Sequence, residues 1–178
     1  MKEQQLISLE LVPGGLYRYK AACGYTIGRA SSAPSVRTMA EAEHSPIRCI
    51  QFDIRLLVYS FVSVHLRTHN KTGQLHFVES LREDRTKRTD IEGGRYDLVR
   101  HMMVLNAQHL IDMSRRRLCS KASKATTDIW REVCEAACEA VPALEGLLRP
   151  NCVYQGRCYE SKPCGYYEGW KEAKCESI

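Results

Sequence analysis

Apolar and polar residues alternate most cleanly between Ile50 and Leu56, where Ile50, Phe52, Ile54 and Leu56 interleave with Gln51, Asp53 and Arg55. A period of two places one set of side chains on a buried face, so this segment is predicted as a strand. Leu6 to Leu11 reads as a second, short strand closed by the turn signal Pro13-Gly14-Gly15. A loop-rich stretch spans 30–46, and the apolar cluster Phe61, Val62, Val64 and Leu66 within Val58 to Arg67 fits a short helix. From Tyr96 to Leu118 the residues Leu98, Met102, Leu105, Leu110 and Met113 recur at helical spacing, which predicts a long helix with one buried stripe and Asp97 at its N-terminus. A further helix is expected to start at Thr127 or Asp128, to bury Trp130, Val133, Cys134, Ala137 and Val141, and to restart after a kink at Pro142.

Between these elements, Thr68 to Gly94 is polar and rich in Arg, Asp and Glu around Leu75-His76-Phe77-Val78, which predicts a largely irregular segment able to line a ligand. The tail beyond Pro150 is rich in Cys, Gly, Tyr and Lys and too poor in aliphatic residues to build its own core. With 178 residues, 44% of them hydrophobic, the chain suits one domain over 1–178, with 150–178 as a cysteine-rich appendage. No run of about 18 apolar residues suggests a membrane span, and the polar N-terminus suggests no leader, so a cytoplasmic location is expected.

Charge narrows the choice of ligand. Lys and Arg number 26 against 21 Asp and Glu, a net charge of +5, and arginine is concentrated between Arg67 and Arg117. Anionic ligands are favoured there. Without basic runs interleaved with aromatics, small phosphorylated molecules fit at least as well as nucleic acid. In a helix, Asn106 and Arg117 lie eleven positions apart and so return to within about 20° of one face, separated by about 16 Å. Arg117 continues the line of Leu110 and Met113, whereas Arg115 and Arg116 are expected in water beside the helix C-terminus.

Nine cysteines without a secretory signal point to thiols rather than a disulfide framework. Cys152, Cys158 and Cys164 fall at six-residue steps among Gly156, Pro163 and Gly165. With Cys119 as the fourth ligand they could surround a tetrahedral zinc. Cys134 and Cys138, one turn apart on an apolar stripe, are expected to pack, as are Cys23 and Cys49. His101 and His109 carry no assigned role.

The run Leu105-Asn106-Ala107-Gln108-His109-Leu110, followed at the right distance by Arg117, resembles the Asn-Ala-Arg to Leu-Arg helix of the flavin-dependent thymidylate synthase family. His44-Ser45, the strand after it, and Arg67-Thr68-His69 resemble that family's His-x-Ser/Thr segment and the start of its Arg-His-Arg motif, with Lys71 as a replacement for the second arginine. Ser80-Leu81-Arg82 matches the closing Ser-x-Arg. The departures are an interrupted Arg-His-Arg, Glu83 in place of the closing tyrosine, and Ala122-Ser123-Lys124-Ala125-Thr126 in place of an Ala-Gln-x-Glu-Ile segment. The family's long insert is also shortened to about Thr86 to Arg95, leaving only Arg95 and Arg100 as candidate phosphate ligands. Short members of this kind are similar to proteins carried by bacteriophages and prophages.

The resemblance implies an α+β fold, an antiparallel sheet packed with long helices, assembled as a homotetramer. It also implies methylation or related C5 alkylation of a pyrimidine deoxynucleotide such as dUMP, with FAD, NADPH and methylenetetrahydrofolate. Arg117 would bind and polarise the uracil, Ser80 and Arg82 would complete the nucleotide site, and Ser45, Arg67, His69, Lys71, Asn106 and Gln108 would contact the flavin. Two alternatives stay open: a non-catalytic relative that binds the nucleotide without flavin, and a zinc-stabilised nucleic-acid-binding protein.

Overall fold

The computed structural model describes residues 3–28, 33–68, 72–90 and 92–175. Strand β1 (Gln5–Leu11) leads through Pro13 and Gly14 into helix α1 (Gly15–Ile27), followed by α2 (Val36–Glu41) and a 3-10 turn (Ser45–Cys49). Then come β2 (Gln51–Tyr59), α3 (Ser60–Arg67), β3 (Leu75–Val78), a single-turn α4 (Glu83–Thr86), β4 (Leu98–Asn106), α5 (Ala107–Arg117) and α6 (Lys124–Ala140). A 3-10 turn (Pro142–Leu144), α7 (Asn151–Gln155) and α8 (Tyr166–Cys175) complete the chain. The fold is α+β, as expected.

The four strands form one antiparallel sheet in the order β1-β2-β4-β3. Its inner face carries Phe52, Ile54, Leu56 and Val58 from β2 and Val99, His101, Met103 and Leu105 from β4, all buried. Helices α3, α5 and α6 pack on that face, with α6 supplying Ile129, Trp130, Val133, Cys134 and Ala137. Burying an aliphatic or aromatic side chain contributes about 1.5–3 kcal/mol, so this layer dominates stability. The outer face is open, and Ile7, Leu75 and Phe77 are at least half exposed on it. Among the described residues no helix is long and apolar enough to cross a membrane.

Several sequence expectations need correction. The expected helix from Tyr96 to Leu118 is a strand and a shorter helix: β4 runs to Asn106 and α5 starts at Ala107. Asp97 therefore caps no helix; its carboxylate accepts from the Gly94 and Glu92 amides in the turn before β4. The region 30–46 contains α2, where the Ser35 side chain accepts from the Thr38 amide, and the polar segment 68–94 contains β3 and α4. Helix α6 begins one turn earlier than Thr127, capped at Ser123, whose carbonyl accepts from the Thr126 and Thr127 amides.

Candidate functional site

The join between β4 and α5 contains no loop. The Asn106 side chain accepts from the His109 amide at 2.9 Å, while His109 Nδ1 accepts from the Asn106 amide at 3.3 Å, a reciprocal cap that satisfies two otherwise orphaned donors. The Ala107 amide donates to the Ile50 carbonyl at 2.9 Å, tying the first helical residue to the start of β2. From this anchor α5 carries Arg117 to its last position, where Nη2 donates to the His65 carbonyl and, at 2.8 Å, to the Thr68 carbonyl.

Those two carbonyls lie at the C-terminal end of α3, which attracts a cation. They hold the Arg117 guanidinium while its Nε and Nη1 have no hydrogen-bond partner among the described residues. Burial pulls the guanidinium below its ordinary pKa. Burial, then the Arg117 and Arg95 charges, also pull down the His65 imidazole, whose Nδ1 lies 2.9 Å from Thr126 Oγ1.

Arg117 lines two adjoining cavities. One, of about 310 Å³, is bounded by Thr68, Gln74, Asp112, Met113, Asn151 and the three arginines Arg115, Arg116 and Arg117. The other, of about 610 Å³, shares the arginines and extends past Lys121 to Cys119, Cys152, Cys158 and Cys164. Spaces of this size hold small organic ligands, and their basic walls favour an anionic one.

Arg116 is exposed as expected, but Arg115 is not in water. Its side chain is 16% exposed, pairs with Glu43 and with Asp112 at 3.1 Å, and lies 3.6 Å over the Tyr154 ring. Burial would raise the Glu43 carboxyl, but hydrogen bonds from Tyr154 and Gln108, with the Arg115 charge, outweigh it and hold Glu43 below the ordinary value of 4.5. Arg115 is thus a structural tie between α5, α7 and the segment after α2.

The other expected site residues divide into those near Arg117 and those away from it. Asn106 is the helix cap, and its amide nitrogen has no partner among the described residues. Gln108 donates to Glu43 at 2.8 Å and to Asp112 at 3.4 Å, so its amide already serves the Arg115 network. Arg67 and Ser45 are exposed, while His69 and Lys71 lie outside the described residues. Ser80 and Arg82 line neither cavity; the Ser80 hydroxyl accepts from the Arg82 amide, and Arg82 pairs with Asp84. Arg95 lies over the rings of Phe61 and Tyr96, and Arg100 is on the outer sheet face.

For a flavin, Arg67 and the Asn106 amide nitrogen are fitting donors, whereas the committed Gln108 amide is not. The four cysteines expected to bind zinc share one cavity as free thiols. Burial, with the neighbouring Cys158 and Cys119, raises the Cys152 thiol; a 2.8 Å hydrogen bond from Ser120 is the largest of the effects that lower the exposed Cys164. Among the described residues, no three His, Cys, Asp or Glu side chains are arranged to hold a metal ion. Cys23 and Cys134 are buried, and Cys49 and Cys138 pack against the core.

Some polar residues around the site have no role in the sequence reading, namely Gln74, His76, Glu43 and Asp112. Gln74 and His76 flank Leu75 at the period of a strand, a signal that would have placed both on one face.

No protein-family model and no curated protein matches the chain. Among solved structures, the fold is similar to that of the UMP/dUMP methylase PolB from Streptomyces cacaoi, crystallised with 5-Br dUMP. The likeness covers 81% of this chain and 93% of that one, with a TM-score of 0.60 and 12% sequence identity. It establishes the shared α+β fold.

Proposed function

We propose that the chain binds a pyrimidine deoxynucleotide such as dUMP in the Arg117 cavity and methylates, or otherwise alkylates, C5 of the base with a folate one-carbon donor. The observation that carries this reading is the setting of Arg117: a guanidinium held by two backbone carbonyls, with Nε and Nη1 left for a ligand. The likeness in fold to a methylase crystallised with a brominated dUMP supports the choice of ligand.

In this reading Arg117 donates to the carbonyl acceptors of the ring and stabilises the electron-rich, enolate-like form from which C5 attacks the one-carbon electrophile. The neutral His65 behind it adds no competing charge. Arg116 and Lys121 at the cavity mouth attract the phosphate. A flavin held by Arg67 and Asn106, with NADPH as its reductant, would supply the hydride that converts a methylene into a methyl group. The protein's own contribution is orientation and electrostatics.

Calorimetric titration with dUMP tests the site. Arg117→Lys keeps the charge but loses the planar fork, and the loss of a charge-assisted contact corresponds to about 1.5–3 kcal/mol, roughly ten- to a hundredfold in affinity. Arg116→Lys is expected to change little. Equal affinities for the two variants would remove the nucleotide from this cavity.

The commitment of Gln108 to Glu43 and Asp112 favours a second reading, in which the nucleotide is bound without flavin and without turnover. Flavin absorbance of the purified or FAD-reconstituted protein separates the two. A colourless protein that still binds dUMP leaves only the second.

A further inference from the structure

A chain of hydrogen bonds runs from the core to the wall of the Arg117 cavity. His101 of β4, 1% exposed, places Nε2 3.1 Å from Nδ1 of His76 on β3, and His76 Nε2 lies 3.4 Å from Gln74 Oε1. Gln74 is itself 7% exposed and forms part of the wall of the 310 Å³ cavity. Two atoms at the ends of the chain, Gln74 Nε2 and His101 Nδ1, are buried without a hydrogen-bond partner among the described residues.

A neutral imidazole has one donor and one acceptor, so fixing one contact fixes the direction of all of them. If His76 Nε2 donates to Gln74 Oε1, then His76 Nδ1 must accept from His101 Nε2–H, and His101 Nδ1 is left as a bare acceptor. The opposite direction would turn the Gln74 amide end for end and leave a buried N–H on His101. Each direction leaves one donor and one acceptor unpaired at the two ends of the chain, and the first is preferred because it places the unpaired donor at the cavity wall rather than on His101 in the core. Burial, then the His76 and Arg67 charges, push His101 down to about 3. Burial, then Arg67 and His109, also lower His76. Both rings therefore stay neutral, and the direction of the chain persists at ordinary pH.

We infer that Gln74 is a specificity-determining residue: its amide nitrogen, aimed by His76 and His101, donates to the 4-carbonyl of the bound pyrimidine and selects a 2,4-dioxo ring of the uracil type over a 4-amino ring. With Arg117 Nε and Nη1 donating from one side and Gln74 Nε2 from the other, and with the Asp112 carboxylate of the same cavity engaged by Arg115 and Gln108, these donors suit a ring with two carbonyl acceptors. An exocyclic amino group would set donor against donor, and a buried polar group left unpaired is how binding sites discriminate. This inference rests on the pyrimidine reading of the cavity.

The test compares dUMP and dCMP by calorimetry for the wild type, Gln74→Leu and Arg117→Lys, with nitrogen-15 spectra of the histidines in the free protein. The expected result is a preference for dUMP that falls roughly three- to tenfold in Gln74→Leu, the worth of one neutral hydrogen bond, with dCMP binding little changed. The spectra should show both His76 and His101 protonated at Nε2 and bare at Nδ1. An unchanged dUMP to dCMP ratio in Gln74→Leu, while Arg117→Lys weakens dUMP, overturns the inference and leaves the site intact. So do Nδ1-protonated tautomers, because they reverse the chain. If the wild type binds neither nucleotide, the pyrimidine reading falls and the inference with it.

Discussion

Ser114 illustrates how much one small polar residue decides. It is fully buried on α5, accepts from the Trp130 indole N–H at 3.0 Å and meets the Cys134 thiol at 3.4 Å. Trp130 is the largest wholly buried side chain, and its only polar atom depends on that hydroxyl. Ser114→Ala should therefore cost about 1–3 kcal/mol, the penalty for a buried donor without a partner. A denaturant titration should show the midpoint falling with unchanged slope. No apolar periodicity would find this contact, because serine and tryptophan give no joint signal in sequence; the fold brings them together. Arg117 was legible at this scale because a basic residue on an apolar line is itself an anomaly. Gln74 and His76 were not, since buried polar residues look like the solvent face of a strand.

At the scale of elements, β2 was read correctly because its outer face is polar enough to make the alternation visible. Strand β4 was not. Met102 and Val104 on its open face are apolar while His101 on its buried face is polar, so the two faces have nearly equal hydrophobicity and the period of two disappears. Helix α1 went unread because its large apolar residues do not form one buried stripe: Tyr19 and Cys23 are buried while Leu16, Tyr17 and Tyr25 are exposed. Between elements, the Glu43 carboxylate joins the segment after α2 to Gln108 and Arg115 of α5, and Tyr154 of α7 joins the same group. Because its folded pKa is depressed, the stability it contributes is fully present above the unfolded value of about 4.5 and is lost as pH falls through the lower folded value. Unfolding curves recorded from pH 6 downwards should show this loss in the wild type, and Glu43→Gln should remove this group's contribution to the pH dependence. An unchanged acid profile in the variant would show that the group does not titrate on unfolding.

For the whole molecule, we propose assembly of several copies, as the resemblance in sequence implies. Ser80 and Arg82 sit away from the Arg117 cavities of their own chain, and the outer sheet face exposes Ile7, Leu75 and Phe77 beside Arg55 and Arg100. Sedimentation velocity should give a species several times the 20.3 kDa chain mass, and Phe77→Asp, which charges that face, should shift it toward the monomer. A wild-type monomer at micromolar concentration would mean that Ser80 and Arg82 do not complete the nucleotide site. Strands β1 and β2 and helices α3 and α6 were legible from period-two and helical patterns, whereas the sheet packed with helices was implied by the family resemblance. Which loop meets which helix was not, because that depends on contacts between residues far apart in sequence.

The loopless passage from β4 into α5 bears on how this protein can change over evolutionary time. From the reciprocal cap at Asn106, Arg117 is reached by an unbroken count of helical residues, so α5 acts as a ruler whose zero mark is fixed to the sheet. One residue inserted or deleted within it would swing the arginine by about 100° and move it by about 1.5 Å, taking the guanidinium off the carbonyls of α3. Substitutions along α5 alter the cavity wall by degrees, whereas a change in its length discards the site at once. Insertions and deletions are accommodated more easily in the segment between β3 and β4, which lies outside that count.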